Sequence, residues 1–171
     1  FALIFLFLLL TICSAEVVML NDLNFEHDTQ AATGSTTGNW AVFFCQGSVC
    51  RSEIVENLDA LSNDDELAEA GVIVSSLHMS SSPETSRRFD MPSTPSKLIF
   101  LKQGVYHKYS GSLTSFDDVK AFLLEGHSHS PAVRTPKPPS HLLFGYRDFE
   151  HLLSDMHRLN ADYGALINVA C

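Results

Sequence analysis

Positive charge is scarce in this chain. Its 11 Lys and Arg stand against 20 Asp and Glu, a formal net charge of −9. No basic run is long enough to follow a phosphate backbone, which argues against a nucleic-acid partner. Cysteine is also sparse: Cys13, Cys45, Cys50 and Cys171 are all there are, and no two of them are spaced Cys-x-x-Cys. There is no internal repeat and no Asn-x-Ser/Thr sequon, so glycosylation lends no support to a secretory route. EF-hand spacing is absent, which makes Asn63-Asp-Asp-Glu66 a helix-capping turn before a calcium loop.

Long apolar runs are missing except at the very start. Residues 1–12 are nearly all apolar and uncharged, and Cys13-Ser-Ala15 follows with small residues. A dozen apolar residues fall short of the ~20 that cross a bilayer. With a small-residue exit they are expected to be a secretory signal, residues 1–15, cleaved to leave Glu16; the alternative is an anchor or a buried helix. The chain begins at Phe1 rather than Met, so the natural N-terminus is expected upstream. A secretory route implies an oxidising compartment in which disulfides persist. Cys13 leaves with the signal, and the simplest arithmetic pairs Cys45 with Cys50 and leaves Cys171 over.

What is present centres on Trp40-Ala-Val-Phe-Phe-Cys-Gln-Gly-Ser-Val-Cys-Arg51. An apolar run of central-strand type breaks into a small, polar, two-cysteine loop, and a helical period follows. Around it, Val17 to Leu20, Val72 to Val74, Ser96 to Leu101 and Val105 to Tyr109 read as strands, the last two joined at Lys102-Gln-Gly104. Residues 24–32, 52–61 and a stretch opened by Ser82-Pro83 read as helices, and Asn63 to Glu66 restarts the second up to Gly71. Ile54, Val55, Leu58 and Leu61 form one apolar face, and Ser115 caps a last helix faced by Phe116, Val119, Phe122 and Leu123. The order βαβαβαββα predicts an α/β domain over 16–126, a mixed central sheet with helices on both faces. Residues 127–140 hold four prolines and read as an extended linker. Residues 141–163 read as an amphipathic helix, and 164–171 as an apolar end expected to start a longer membrane span.

Several local sequences resemble the thioredoxin superfamily, in particular single thioredoxin domains of the protein disulfide isomerase family. Asn24-Phe25 resembles the family's first helix start, Gly38-Asn-Trp-Ala-Val-Phe-Phe44 its strand before the active site, and Tyr109-Ser-Gly111 its final Tyr-x-Gly. Arg88-Phe89 with Thr94-Pro95, then Leu98 to Gly104, resembles the segment that holds the family's cis-proline. The matches run from Val17 to Gly126. The resemblance implies a thioredoxin-like fold and places Thr94 and Pro95 at a substrate-binding loop facing the thiols.

The family's chemistry uses Cys-x-x-Cys with the first thiol at a helix N-terminus. Here the motif is Cys-x4-Cys. Aligned without a gap from Phe43-Phe44, the family's cysteines fall on Ser48 and Arg51; aligned from Trp40, on Val49 and Ser52. A one-residue gap puts Cys50 at the attacking position and Glu53 at the resolving one, the reading preferred here because a helix follows. The family's buried acid on the preceding strand is absent from Ala41 to Phe44, and Leu113 stands where an arginine commonly follows Tyr-x-Gly. All three departures weaken the release step of dithiol exchange. Cys50, with Cys45 as a weaker candidate, is therefore expected to carry single-thiol or slow exchange on unfolded or cysteine-containing secretory proteins in the endoplasmic reticulum, with attachment to the membrane through the C-terminus. The alternative is a redox-inactive chaperone or adaptor that holds clients near Pro95. No cofactor or metal is expected: His127, His129 and His141 fall in the proline-rich stretch and read as solvated, as do Arg87 and Arg88 at a helix end.

Overall fold

The computed structural model describes residues 16–34, 37–46, 50–91 and 95–139. The expected signal, the terminal helix over 141–163 and the apolar end lie outside them. The strands are β1 (Val18–Leu20), β2 (Asn39–Cys45), β3 (Val72–His78), β4 (Lys97–Lys102), β5 (Val105–Lys108) and β6 (Val133–Arg134). The helices are α1 (Phe25–Thr29), α2 (Ser52–Ser62), α3 (Asp65–Glu69), α4 (Pro83–Arg88) and α5 (Phe116–Leu124), with a 3-10 turn at Gly126–His129. The expected βαβαβαββα order is present. The second helix is broken in two, and a turn and a short strand are added after α5.

The sheet runs β1-β3-β2-β4-β5-β6. β3 is parallel to both β1 and β2, whereas β4, β5 and β6 each pair antiparallel with the strand before them in the sheet. This is the mixed sheet expected. β2 and β4 lie inside it and are buried on both faces, which is why they read as unbroken apolar runs rather than alternating ones. Their side chains still alternate. Trp40, Val42, Phe44, Ile99 and Leu101 join α1 and α4 on one face; Ala41, Phe43, Leu98 and Phe100 join α2, α3 and α5 on the other. A large apolar side chain buried in either layer adds about 1.5–3 kcal/mol over leaving it exposed.

Local chemistry sets the ends. Asp64 caps α3, its Oδ1 accepting from the Leu67 N–H at 3.1 Å. Ser115 caps α5 through the Asp118 N–H, as the sequence leads one to expect. The β4–β5 turn places Gln103 at φ 50° and Gly104 at φ 78°, the double positive φ of a two-residue hairpin. α1 is shorter than the 24–32 expected, because Gln30 turns left-handed and closes it. Ser82-Pro83 does open α4, yet the cap comes from elsewhere: Asp22 accepts from the Glu84 and Thr85 N–H groups at 3.1 and 2.7 Å.

Three sequence expectations are corrected. Val55 is 41% exposed; Asn57 is buried in its place and donates to the Leu113 carbonyl at 2.7 Å. Arg88 is not a solvated helix end. Its side chain is 4% exposed and bonds Glu26 at 2.8 Å, because α4 turns that residue inward over the Phe25 and Phe89 rings. Residues 127–139 do not run free. β6 pairs with β5, the Thr135 N–H donates to the Gly104 carbonyl, and Arg88 Nε donates to the Pro136 carbonyl. β5 would otherwise present an open edge. His127 stacks 4.7 Å from the Phe100 ring, while His129 is exposed; His141 lies outside the described residues.

Candidate functional site

β2 ends at Cys45, which is fully buried, and α2 begins at Ser52 behind its N-cap, Arg51. Cys50 therefore stands immediately before the cap, half-buried and packed against the α2-side core. The first N–H groups of a helix lack intrahelical partners, and the helix dipole favours negative charge there. Arg51 makes no side-chain cap bond that would occupy them. A thiolate at Cys50 would stand one residue before that helix end. Cys45 and Cys50 are joined as a disulfide, Cα to Cα 4.9 Å.

Two contacts seat the loop. The Met79 N–H donates to the Cys45 carbonyl at 3.0 Å, tying it to the end of β3. The Gln46 N–H donates to Ser96 Oγ at 2.8 Å, tying it to the loop before β4. That second loop carries Pro95, which is exposed. Pro95 is therefore brought to the thiol loop; Thr94, its expected partner, lies outside the described residues. A cleft of about 340 Å³ opens beside them, lined by Arg51, Glu53 and Ile54, by Pro95 and its two successors, and by residues 109–114. On this side Tyr109 folds back over Gly111, its hydroxyl donating to the Ser112 carbonyl at 3.3 Å. A Cβ at Gly111 would overlap that hydroxyl, so the Tyr-x-Gly pair is a steric unit.

Among the described residues, the three positions that the resemblance links to release hold other side chains. Glu53, which the expected alignment sets at the resolving position, is exposed. Leu113 is half-buried in the α2-side core, its carbonyl held by Asn57. β2 carries no acid.

One neighbour escapes a reading of the sequence. In the β2–β3 register Cys45 lies beside His78. The Sγ atoms of Cys45 and Cys50 and a ring nitrogen of His78 all lie within 4.8 Å of one another. His78 Nδ1 is buried and has no hydrogen-bond partner. The polar pair Ser75-Ser76 conceals this, because it interrupts the apolar run after Val74. Both serines are buried, and Ser75 Oγ bonds the Ala41 carbonyl at 3.1 Å, so the strand continues to His78. Counting the register onward from Ala41 and Val74 would have exposed the pairing.

The strand order, with the thiol loop between β2 and α2 and the Pro95 loop facing it, gives a thioredoxin-like fold that carries a Cys-x4-Cys motif at its thiol loop. No protein-family model matches the chain. It is 29% identical over 127 residues to a thioredoxin domain-containing protein of Theileria parva, an alignment that covers 73% of this chain and 56% of that one. Among solved structures, human ERp44 in a zinc-bound form matches with a TM-score of 0.52 at 16% identity, over 66% of this chain and 31% of that chain; this is a likeness of fold. The chain thus spans little more than half the length of the curated relative it matches. Among the described residues, no helix is long and apolar enough to cross a membrane.

Proposed function

We propose that this domain exchanges disulfides with cysteine-containing clients of the secretory pathway, slowly and through Cys50. The observation that carries this reading is the asymmetry of the disulfide: Cys45 is sealed in the core, and Cys50 is the half-buried residue in front of α2. An incoming client thiolate attacks Cys50 Sγ. The Cys45–Cys50 bond breaks, and Cys45 leaves as a thiolate and takes up a proton. A second client thiolate then attacks the client sulfur of the mixed disulfide, and Cys50 leaves. The client loses two electrons to the domain, and the reverse sequence reduces a client. Without a buried acid near the leaving thiol, release is the slow step. The cleft beside Pro95 is the place for the client backbone. The apolar leader-like run at 1–12 and the disulfide itself support a secretory setting.

A second reading has its own support. Glu53, Leu113 and the acid-free β2 remove much of what turnover needs, while the cleft remains. The domain would then hold unfolded chains without redox turnover. Insulin reduction by the wild type and by Cys50→Ser, with free thiols titrated, separates the two. Turnover in the wild type that vanishes in the variant supports exchange. An inactive wild type, with aggregation suppression kept by Cys50→Ser, supports the holding role.

A further inference from the structure

We propose that Cys45, Cys50 and His78, once the disulfide is reduced, form a binding site for Zn²⁺ or a cation of like softness. Two thiolates and an imidazole are the ligand set that zinc prefers. The three ligand atoms already lie within 4.8 Å of one another. Tetrahedral zinc bonds of ~2.0–2.3 Å put ligand atoms roughly 3.5 Å apart, so reduction must let the two sulfurs, now bonded to each other, part to that spacing beside His78. The strand register holds Cys45 and His78 side by side. It also puts them on the α2 face of the sheet, since Ala41 and Phe43 lead to Cys45 on that face and Cys50 packs against the same core.

The second observation is independent of the sulfurs. His78 Nδ1 is buried and has no hydrogen-bond partner. A buried polar nitrogen left unmatched is costly, of the order of 1–3 kcal/mol, and a metal ion would satisfy it. Three protein ligands leave a fourth position open, the pattern of sites that exchange a water or an external ligand.

The site is gated by oxidation state. Sulfurs bonded to each other do not serve as thiolate ligands. Two equivalents of a small thiol reduce the Cys45–Cys50 bond to two thiols and leave as their own disulfide. Binding of Zn²⁺ then displaces the two thiol protons to solvent. The metal site stands whether or not the loop turns over with clients. When filled, it withholds Cys50 from exchange.

The test uses the chain with Cys13→Ser and Cys171→Ser, so that only the loop thiols remain. It is reduced with a phosphine, desalted without oxygen and titrated with Co²⁺, then with Zn²⁺. The expected result is thiolate-to-cobalt charge-transfer bands and tetrahedral visible bands in the reduced chain, bleached by Zn²⁺ and absent from the disulfide form. His78→Ala should lower affinity by at least about 10-fold, the low end of what loss of an outer-shell partner costs. His78→Gln, which keeps side-chain bulk, guards against a folding defect, with circular dichroism as the check. A folded, reduced chain without these bands overturns the site, and so do bands of equal affinity in a folded His78 variant. Insulin reduction on the same preparations scores the exchange reading separately.

Discussion

The two faces of the sheet are held in different ways. On one, α2 and α5 run 11 and 9 residues and present apolar stripes to Phe43, Leu98 and Phe100. On the other, α1 and α4 have only 5 and 6 residues, too short to be stable by themselves. This second face is fixed by aromatic and polar anchors. Phe89 meets Phe25, Phe44 and Tyr106 at ring distances of 5.3, 5.9 and 5.3 Å. Arg88 binds Glu26 and the Pro136 carbonyl, Glu26 also accepts from the Ala32 N–H, and Asp22 caps α4. Short helices therefore demand specific ties, whereas long ones are seated by area. The thiol loop belongs to the second kind of support on only one flank: Cys50 rests on the α2-side core, while Cys45 and Gln46 are tied by the Met79 N–H and the Ser96 hydroxyl.

Breaking the polar anchor should have the largest effect. Arg88→Ala leaves Glu26 buried without its partner, a loss of about 3–5 kcal/mol when one member of a buried pair is removed. It also frees the segment at Pro136 from α4. Urea unfolding should show the lower midpoint, and limited proteolysis should cut in the 130s well before global unfolding. An Arg88→Ala chain as stable as the wild type would mean that the aromatic cluster alone holds this face.

The contrast also explains what could be read in advance. The apolar strands were legible because a strand covered on both faces is a run of large side chains, and β2 and β4 are such runs. α5 was legible because its cap and its stripe agree. What failed was long-range and polar. Arg88 has the same letter as a solvated arginine, and only the fold of α4 over α1 makes it an anchor. The segment after α5 has a linker's composition, yet an open β5 edge recruits it. At the site, Cys45 and Cys50 were visible as a pair, and Pro95 as the loop opposite. His78 was not, since its meaning lies wholly in a strand register that two buried serines disguise.

The next effect tests the seat of the thiol loop. Reducing Cys45–Cys50 removes a cross-link that closes a loop with sequence separation 5, which chain-entropy arguments value at ~2 kcal/mol. Thermal melts with and without reductant should differ by about that amount. Cys45→Ala with Cys50→Ala should melt with the reduced wild type and be indifferent to reductant. A much larger drop would mean that the disulfide organises β2 and α2 as well as the loop.

The smallest effect is electrostatic and sits on the α2 face, where polar ties were least expected. The His127 ring lies 4.7 Å from Phe100 and 5.4 Å from His107, and its Nδ1 is 3.3 Å from the Phe122 carbonyl. Burial, seconded by the charge of Lys102 and by His107, holds the imidazolium below its usual range, and the Phe122 carbonyl only partly opposes this. The folded-state pKa is depressed, so the unfolded chain takes up the proton first. Stability from this group is complete above the ordinary value of 6.5 and is lost as pH falls through the folded value, after which the slope vanishes. Urea midpoints taken from pH ~7.5 down to ~5, the range in which histidine titrates, should therefore decline for the wild type. His127→Phe keeps the ring against Phe100 and removes the proton site, so its midpoint should decline less. Parallel curves for the two proteins would assign the acid sensitivity to another group.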